Sequence, residues 1–356
     1  MVRHYTGATT SERGELTVTS AELFPDRPQI MCMTMTPFLP SGELDEGAFR
    51  AHLRRLVDAG VGVYLGSPGS GEGHALTIDE TRRVYEIGVE VCAGHVPVCA
   101  NPREARDAPT MLELCRVAAS AGVQAVQIYQ IDGGHGFTPT RRELGAYFRD
   151  VIAGLDHHPV VLGCNPVAGY LADADLLAEL CADFPNIVAV NIFETAPGFV
   201  TECRDALPER VRLFGGQTTA VQSWVLGATG MLSAAANVVP RTTAALGRAF
   251  ARGDVAATSL AAVRLQRFYS AFVHTMAGAA WEKLALKILG LPGGNGVIRR
   301  PYLFPDERAE EAMRVKLVKL DVLAWEQEYA EAAGQRPFPS SGRVPGGSGV
   351  PTEACA

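Results

Sequence analysis

Eight short apolar runs, separated by amphipathic stretches, limit what this chain can fold into more than any other feature. They read QIMCMTM (29–35), GVYL (62–65), VPVCA (96–100), AVQIYQI (125–131), PVVLGC (159–164), IVAVN (187–191), VRLFGG (211–216) and GMLSA (230–234). Between them lie helical patterns such as Glu46–Ala59, Thr77–Ala93, Ala108–Ala121, Thr140–Ala153 and Asp173–Ala182, several closed by glycine in the manner of a helix C-cap. Strand-length runs alternating with helix-length stretches mark βα units on a parallel sheet. Eight such units predict an α/β fold of the (β/α)8 TIM-barrel type. A doubly wound sheet is the alternative, but it would place G-x-G-x-x-G directly after the first strand, where this chain reads TPFLPSGELD.

The pattern divides the chain into a polar N-terminal extension (1–28), the barrel (29–253), a C-terminal helical subdomain (254–333) and a Pro/Gly/Ser-rich tail (334–356) expected to be disordered. The subdomain should hold helices over Val255–Gly278, Ala280–Leu289 and Asp306–Ala333. At 356 residues and 47% hydrophobic content the chain can bury a large core. A net charge of −7 with both signs interspersed leaves no basic stripe for phosphates, so nucleic acid is not expected as a partner. No apolar run reaches the roughly 18 residues of a membrane span, and the first residues lack a secretory apolar segment, so no membrane partner is expected. The eight cysteines stand apart without metal-ligand spacing and read as small core residues of a cytoplasmic protein.

Lysine usage is the compositional anomaly. Of 32 lysines and arginines only four are lysines (Lys283, Lys287, Lys316 and Lys319), so the first 282 residues contain none.

Three stretches, in order and at strand ends, resemble the dihydrodipicolinate synthase and N-acetylneuraminate lyase superfamily. The first is TPF (36–38) with the glycine-rich segment leading into LGSPGSGEGHALTIDETRRV; the second is GMLSAAANVVP (230–240); the third is WEKLALKILGLPGGNGVIRRPY (281–302). The resemblance implies a (β/α)8 barrel with a C-terminal helical subdomain, a homo-oligomer (dimer or tetramer), and aldol, retro-aldol or dehydration chemistry on pyruvate or another 2-oxo acid. It also implies a Schiff-base lysine on the sixth strand and a proton-relaying tyrosine at the end of the fifth. Those positions are filled here by Asn191 and Gly163, and the loop after the fourth strand reads QIDGGHGFTPT where the family often carries aromatic residues. Lys283 falls in the C-terminal helix, where it reads as a helix-surface residue rather than a relocated nucleophile.

Other polar residues at strand ends are then the candidates. Ser67, Gly69, Ser70 and Gly71 offer amides and hydroxyls suited to a carboxylate or another oxyanion. Asp132 and His135 lie three apart, and a histidine beside a carboxylate can act as a base near neutral pH. Glu72 and Glu194 are further acid–base candidates, and Asn191, Asn165 and Gln217 could donate hydrogen bonds to a carbonyl oxygen. Each group also has a structural reading, as a tight turn, an Asx turn, a surface carboxylate or a polar cap. A metal would need Asp132, His135, Glu72 and Glu194 to converge from separate strand ends; neither a metal nor another cofactor is expected. The expected activity is lyase-type addition, elimination, cyclisation or aldol chemistry on a small carbonyl- or carboxylate-bearing substrate without a Schiff base, in a site repurposed for specialised biosynthesis. A catalytically silent barrel that binds a metabolite or partner, and an ordinary pyruvate-dependent class I aldolase, are the competing readings.

Overall fold

A computed structural model describes residues 18–193, 196–272 and 278–335 of the chain. Eight parallel strands close into a barrel: β1 (Gln29–Met33), β2 (Gly62–Leu65), β3 (Val98–Ala100), β4 (Ala125–Tyr129), β5 (Val160–Cys164), β6 (Ile187–Ile192), β7 (Arg212–Gly216) and β8 (Gly230–Ser233). Closure is made by β1 on β8, with Gln29 opposite Gly230 and Cys32 opposite Ser233. Each strand was legible as an apolar run because its residues are enclosed on both sides: apart from Met33, every strand residue is buried.

The outer layer consists of α2 (Glu46–Ala59), α3 (Ile78–Cys92), α4 (Ala108–Ser120), α5 (Arg141–Ala153), α6 (Ala174–Asp183), α7 (Pro197–Ala206), α8 (Ala220–Val225) and α9 (Pro240–Ala251), following β1 to β8 in turn. The starts of the first five, α2 to α6, are set by side-chain caps: Asp45, Thr77, Asp107, Thr140 and Asp173 each accept from an amide three residues on. One short helix, α1 (Ser20–Leu23), precedes the barrel and delivers Leu23 and Phe24 into the interior cluster with Met31, Val161 and Phe214. The Arg212 guanidinium at the start of β7 donates to the Phe24 and Asp26 carbonyls, so the strands' N-terminal end is plugged. The other end stays open, as in barrel enzymes generally.

Three further segments, Val255–Phe272, Ala280–Ile288 and Glu307–Ala332, form the C-terminal subdomain. The last was expected as one helix over Asp306–Ala333 but is two, Glu307–Leu320 and Val322–Ala332. Asp321 adopts φ 54, a left-handed conformation that ends the first helix and turns the chain. The turn lets buried Glu326 reach the first turn of α9, where its carboxylate accepts from the Arg241 and Thr242 amides at 3.0 and 2.8 Å and from the Thr242 hydroxyl at 2.7 Å. No helix among the described residues is long and apolar enough to cross a membrane. The tail expected to be disordered lies, from residue 336, outside the described residues.

Candidate active site

A cavity of about 350 Å³ opens at the C-terminal ends of the strands. Its floor comes from strand residues. Asn191 on β6 is opposite Gly163 on β5, and Gly163 is opposite Tyr129 on β4. The Asn191 Nδ2 group donates to the Gln127 Oε1 atom and, at 3.3 Å, to the Tyr64 hydroxyl, which reaches across the barrel from β2. Both N–H bonds of the amide are thereby used. Its Oδ1 atom is buried and has no hydrogen-bond partner among the described residues. The expectation that Asn191 offers a donor is thus reversed: what it leaves unpaired is an acceptor, and leaving one unmet inside a protein costs about 1–3 kcal/mol unless a ligand fills it.

Gly163 explains why this floor is neutral. A Cβ placed there would lie 2.6 Å from Gln127 Nε2 and 3.0 Å from its Cδ, so Gln127 occupies the volume a fifth-strand side chain would need. Its amide also lies beside the Tyr129 hydroxyl, as does that of Asn101. Burial drives the Tyr129 and Tyr64 phenols and the Cys164 thiol above their ordinary values, so all three stay protonated at neutral pH.

One wall is the glycine-rich loop after β2. Gly66 sits at φ +70, and a Cβ on Gly71 would meet Ser67 N at 2.6 Å, so the loop folds back on itself only with glycine at these points. The Ser67 hydroxyl accepts from the Gly71 amide at 3.0 Å, and the Ser70 hydroxyl turns away to donate to Glu282 at 2.7 Å. The Gly69 and Ser70 amides make no hydrogen bond among the described residues. The anion-binding capacity expected of this loop therefore rests on its amides, while both hydroxyls hold its shape.

Asn165 joins the cavity from the loop after β5, and its backbone N–H donates to Gln130 Oε1 at 2.7 Å. Gln217 does not reach the cavity. Its Oε1 accepts from the Ser233 hydroxyl at 2.6 Å and the Ala235 amide at 3.1 Å, which fixes the loop after β8.

Glu72 is likewise turned away. It is buried at φ 50, pairs with the Lys283 ammonium and accepts from the Arg299 amide at 2.9 Å. Lys283, read from the sequence as a surface residue, is 0% exposed: its Nζ also donates to the Val297 carbonyl at 2.8 Å and stands 4.5 Å from the Phe38 ring centre. Helix Ala280–Ile288 is buried on nearly all sides, so its charged residues point into a closed cluster. Burial lowers the Lys283 pKa against the pull of Glu72, and it pushes Glu282 up to about 8. Glu282 also accepts at 3.0 Å from Asn237, whose Oδ1 takes the Met35 amide and the His52 ring at 3.0 Å each.

Asp132 and His135 do not form the expected pair. Asp132 bonds Arg106 at 3.3 Å and the Gly134 amide at 3.2 Å. Exposed His135 lines a wide outer depression of about 720 Å³ with Arg106 and Phe137, and it is absent from the mouth cavity. The larger depression carries less chemistry, since it is lined mainly by the exposed loop after β4, with Arg106 and Glu143 beside it, and receives no strand residue. Glu194 lies outside the described residues. No group of three or more His, Cys, Asp or Glu is placed to hold a metal ion among the described residues.

Three polar cavity residues escaped the sequence reading: Gln127, Tyr129 and Glu104. Gln127 was visible as the polar residue inside AVQIYQI, and Glu104 as a carboxylate four residues past β3. Glu104 is half-buried and lines both the mouth cavity and an adjoining cleft of about 410 Å³ with His74, Arg103 and Gln130.

Comparison with known proteins agrees with this architecture. An uncharacterized DapA-like lyase of Rhizobium meliloti is 27% identical over 295 residues, covering 81% of this chain and 95% of that protein. The 4-hydroxy-tetrahydrodipicolinate synthase of Sorangium cellulosum is 31% identical over 297 residues, covering 81% and 94%. The crystal structure of dihydrodipicolinate synthase from Aquifex aeolicus superposes with a TM-score of 0.76 at 23% identity, covering 83% of this chain and 98% of that one. The model of the dihydrodipicolinate synthetase family matches residues 27–320. Matched by that model over most of its length, the chain belongs to the dihydrodipicolinate synthetase family.

Proposed function

We propose that the protein is a lyase of this family that carries out addition, elimination, cyclisation or aldol-type chemistry on a small carbonyl compound without forming a lysine Schiff base. The observation that carries this reading is Asn191 at the end of β6, on a barrel that contains no lysine before Lys283. An amide nitrogen is not nucleophilic enough to condense with a carbonyl, and the buried Lys283 is shut in its ion pair. Hydrogen bonding then takes over the work of activating the substrate. A carboxylate fits the unpaired Gly69 and Ser70 amides, the protonated Tyr129 phenol can donate to the carbonyl oxygen, and the unmet Asn191 Oδ1 favours a substrate with a hydroxyl group. Ser67, Ser70 and Asn165 shape the pocket around these contacts.

Such a site should labilise protons next to the carbonyl. The test is solvent exchange in D2O, following loss of the C3 proton signals of pyruvate and hydroxypyruvate by NMR, before and after treating the protein with borohydride and pyruvate. Catalysed exchange that survives borohydride is expected. Exchange abolished by borohydride would mean that an amine is used after all, and absence of exchange with both compounds would overturn the reading.

A further inference from the structure

Resting on that reading, we propose that Glu104 is the catalytic acid–base residue of the mouth cavity. Among the described residues lining the cavity it is the one carboxylate, and no basic side chain lines the cavity with it. The other proton-bearing groups there, Tyr129 and Cys164, are held protonated by burial and can donate but not abstract at neutral pH. Glu104 makes no ion pair among the described residues, whereas Glu72 and Asp132 are engaged by Lys283 and Arg106. Its place on the wall between the cavity and the outer cleft gives it substrate on one side and a path to solvent on the other.

The surroundings tune it in a suitable sense. Burial, and to a smaller extent the Asp132 charge on the loop after β4, raise the Glu104 carboxyl above its ordinary value, while His74 from the loop after β2 opposes them. Arg103 on its own loop, Tyr129 on β4 and the cleft's neutral Gln130 and Asn165 complete the groups around it. A carboxylate raised in this way is a stronger base toward a carbon-bound proton than a free glutamate.

The step balances without a further reactant. One Glu104 oxygen takes a proton from the carbon beside the carbonyl, the C–H electron pair forms the C=C bond of an enolate, and the carbonyl π pair moves to oxygen, whose negative charge accepts a hydrogen bond from the Tyr129 hydroxyl. Return of a proton from Glu104 to carbon, or expulsion of a β-hydroxyl that Glu104 protonates, completes exchange or elimination.

The experiment compares wild type, Glu104→Gln and Glu104→Asp in the same D2O exchange with hydroxypyruvate and pyruvate, as a function of pH. Loss of a general base costs about 10²–10⁴-fold, so E104Q should lose at least ~100-fold, with E104D intermediate. The wild-type rate should rise with pH through an ionisation that lies above that of a free glutamate and is missing from E104Q. Thermal unfolding should not distinguish the three proteins. Wild-type exchange that persists in E104Q, or a pH profile shared by both, would overturn the assignment of Glu104 alone. Absence of exchange in the wild type would overturn the proposed function and this assignment with it.

Discussion

Two groups of buried polar side chains meet at the glycine-rich loop, and they differ in every property that decides reactivity. On one side the floor of the mouth joins Tyr64, Asn191, Gln127 and Tyr129, all neutral, with one buried acceptor unmet on a residue that lines an open cavity. On the other, Glu72, Lys283 and Glu282 hold two carboxyls and an ammonium in a buried cluster packed against Phe38, Asn237 and Ser70. Judged by depressed pKa alone, Lys283 looks like the nucleophile of a Schiff-base enzyme. Its geometry says otherwise, because a reactive amine must reach substrate, and this one is fully buried in hydrogen bonds. The comparison separates holding the loop, which the charged cluster does, from meeting the substrate, which falls to the neutral one. Ser70 is the point of contact, with its backbone on the cavity wall and its hydroxyl on Glu282.

The largest effect should come from breaking the closed cluster. Lys283→Met leaves Glu72 buried without its partner, and loss of one member of a buried pair costs about 3–5 kcal/mol. Chemical denaturation should show that loss, and the double variant with Glu72→Gln should recover part of it.

Replacing Gly163 by alanine attacks the neutral side. The new methyl would press on Gln127, and overpacking of this kind costs about 1–3 kcal/mol. Adding Gln127→Ala should relieve the clash component, so the two changes should be less than additive in denaturant unfolding.

A pH-dependent difference should also separate the clusters. The Glu282 carboxyl is raised from its ordinary value of 4.5 to about 8, so between those values the folded protein holds a proton that the unfolded chain has released. Folding then takes up that proton, and the contribution to stability, complete below about 4.5, is lost as pH rises toward about 8. Glu282→Gln should flatten that part of the stability curve relative to wild type. An equal slope in both proteins would show that Glu282 is already charged when folded.

The smallest effect belongs to the outer loop. Asp132 and Arg106 are both well exposed, so Asp132→Asn should change unfolding free energy by less than about 1 kcal/mol.

The fold was legible because each barrel strand is enclosed on both faces, which writes it into the sequence as a mostly apolar run with helix patterns between. Capping residues such as Asp45 and Thr140 made several helix starts equally plain. The break at Asp321 was not, since the residues on either side suit a helix and only a left-handed turn at one aspartate divides them. At the site, Asn191 and Gly163 could be recognised as replacements, but their consequence depended on Gln127, which fills the space beside Gly163 from a neighbouring strand. Glu72 and Lys283 lie 211 residues apart, so their pairing could not be read from spacing along the chain. Sequence likewise could not tell which end of the Asn191 amide would remain unpaired, because that depends on Tyr64 crossing the barrel.

The central claim, that the mouth acts without an amine, is tested most directly by intact-protein mass spectrometry after incubation with pyruvate and sodium borohydride. The account predicts an unmodified chain. A reduced pyruvate adduct on Lys283, or on any of the other three lysines, would contradict it.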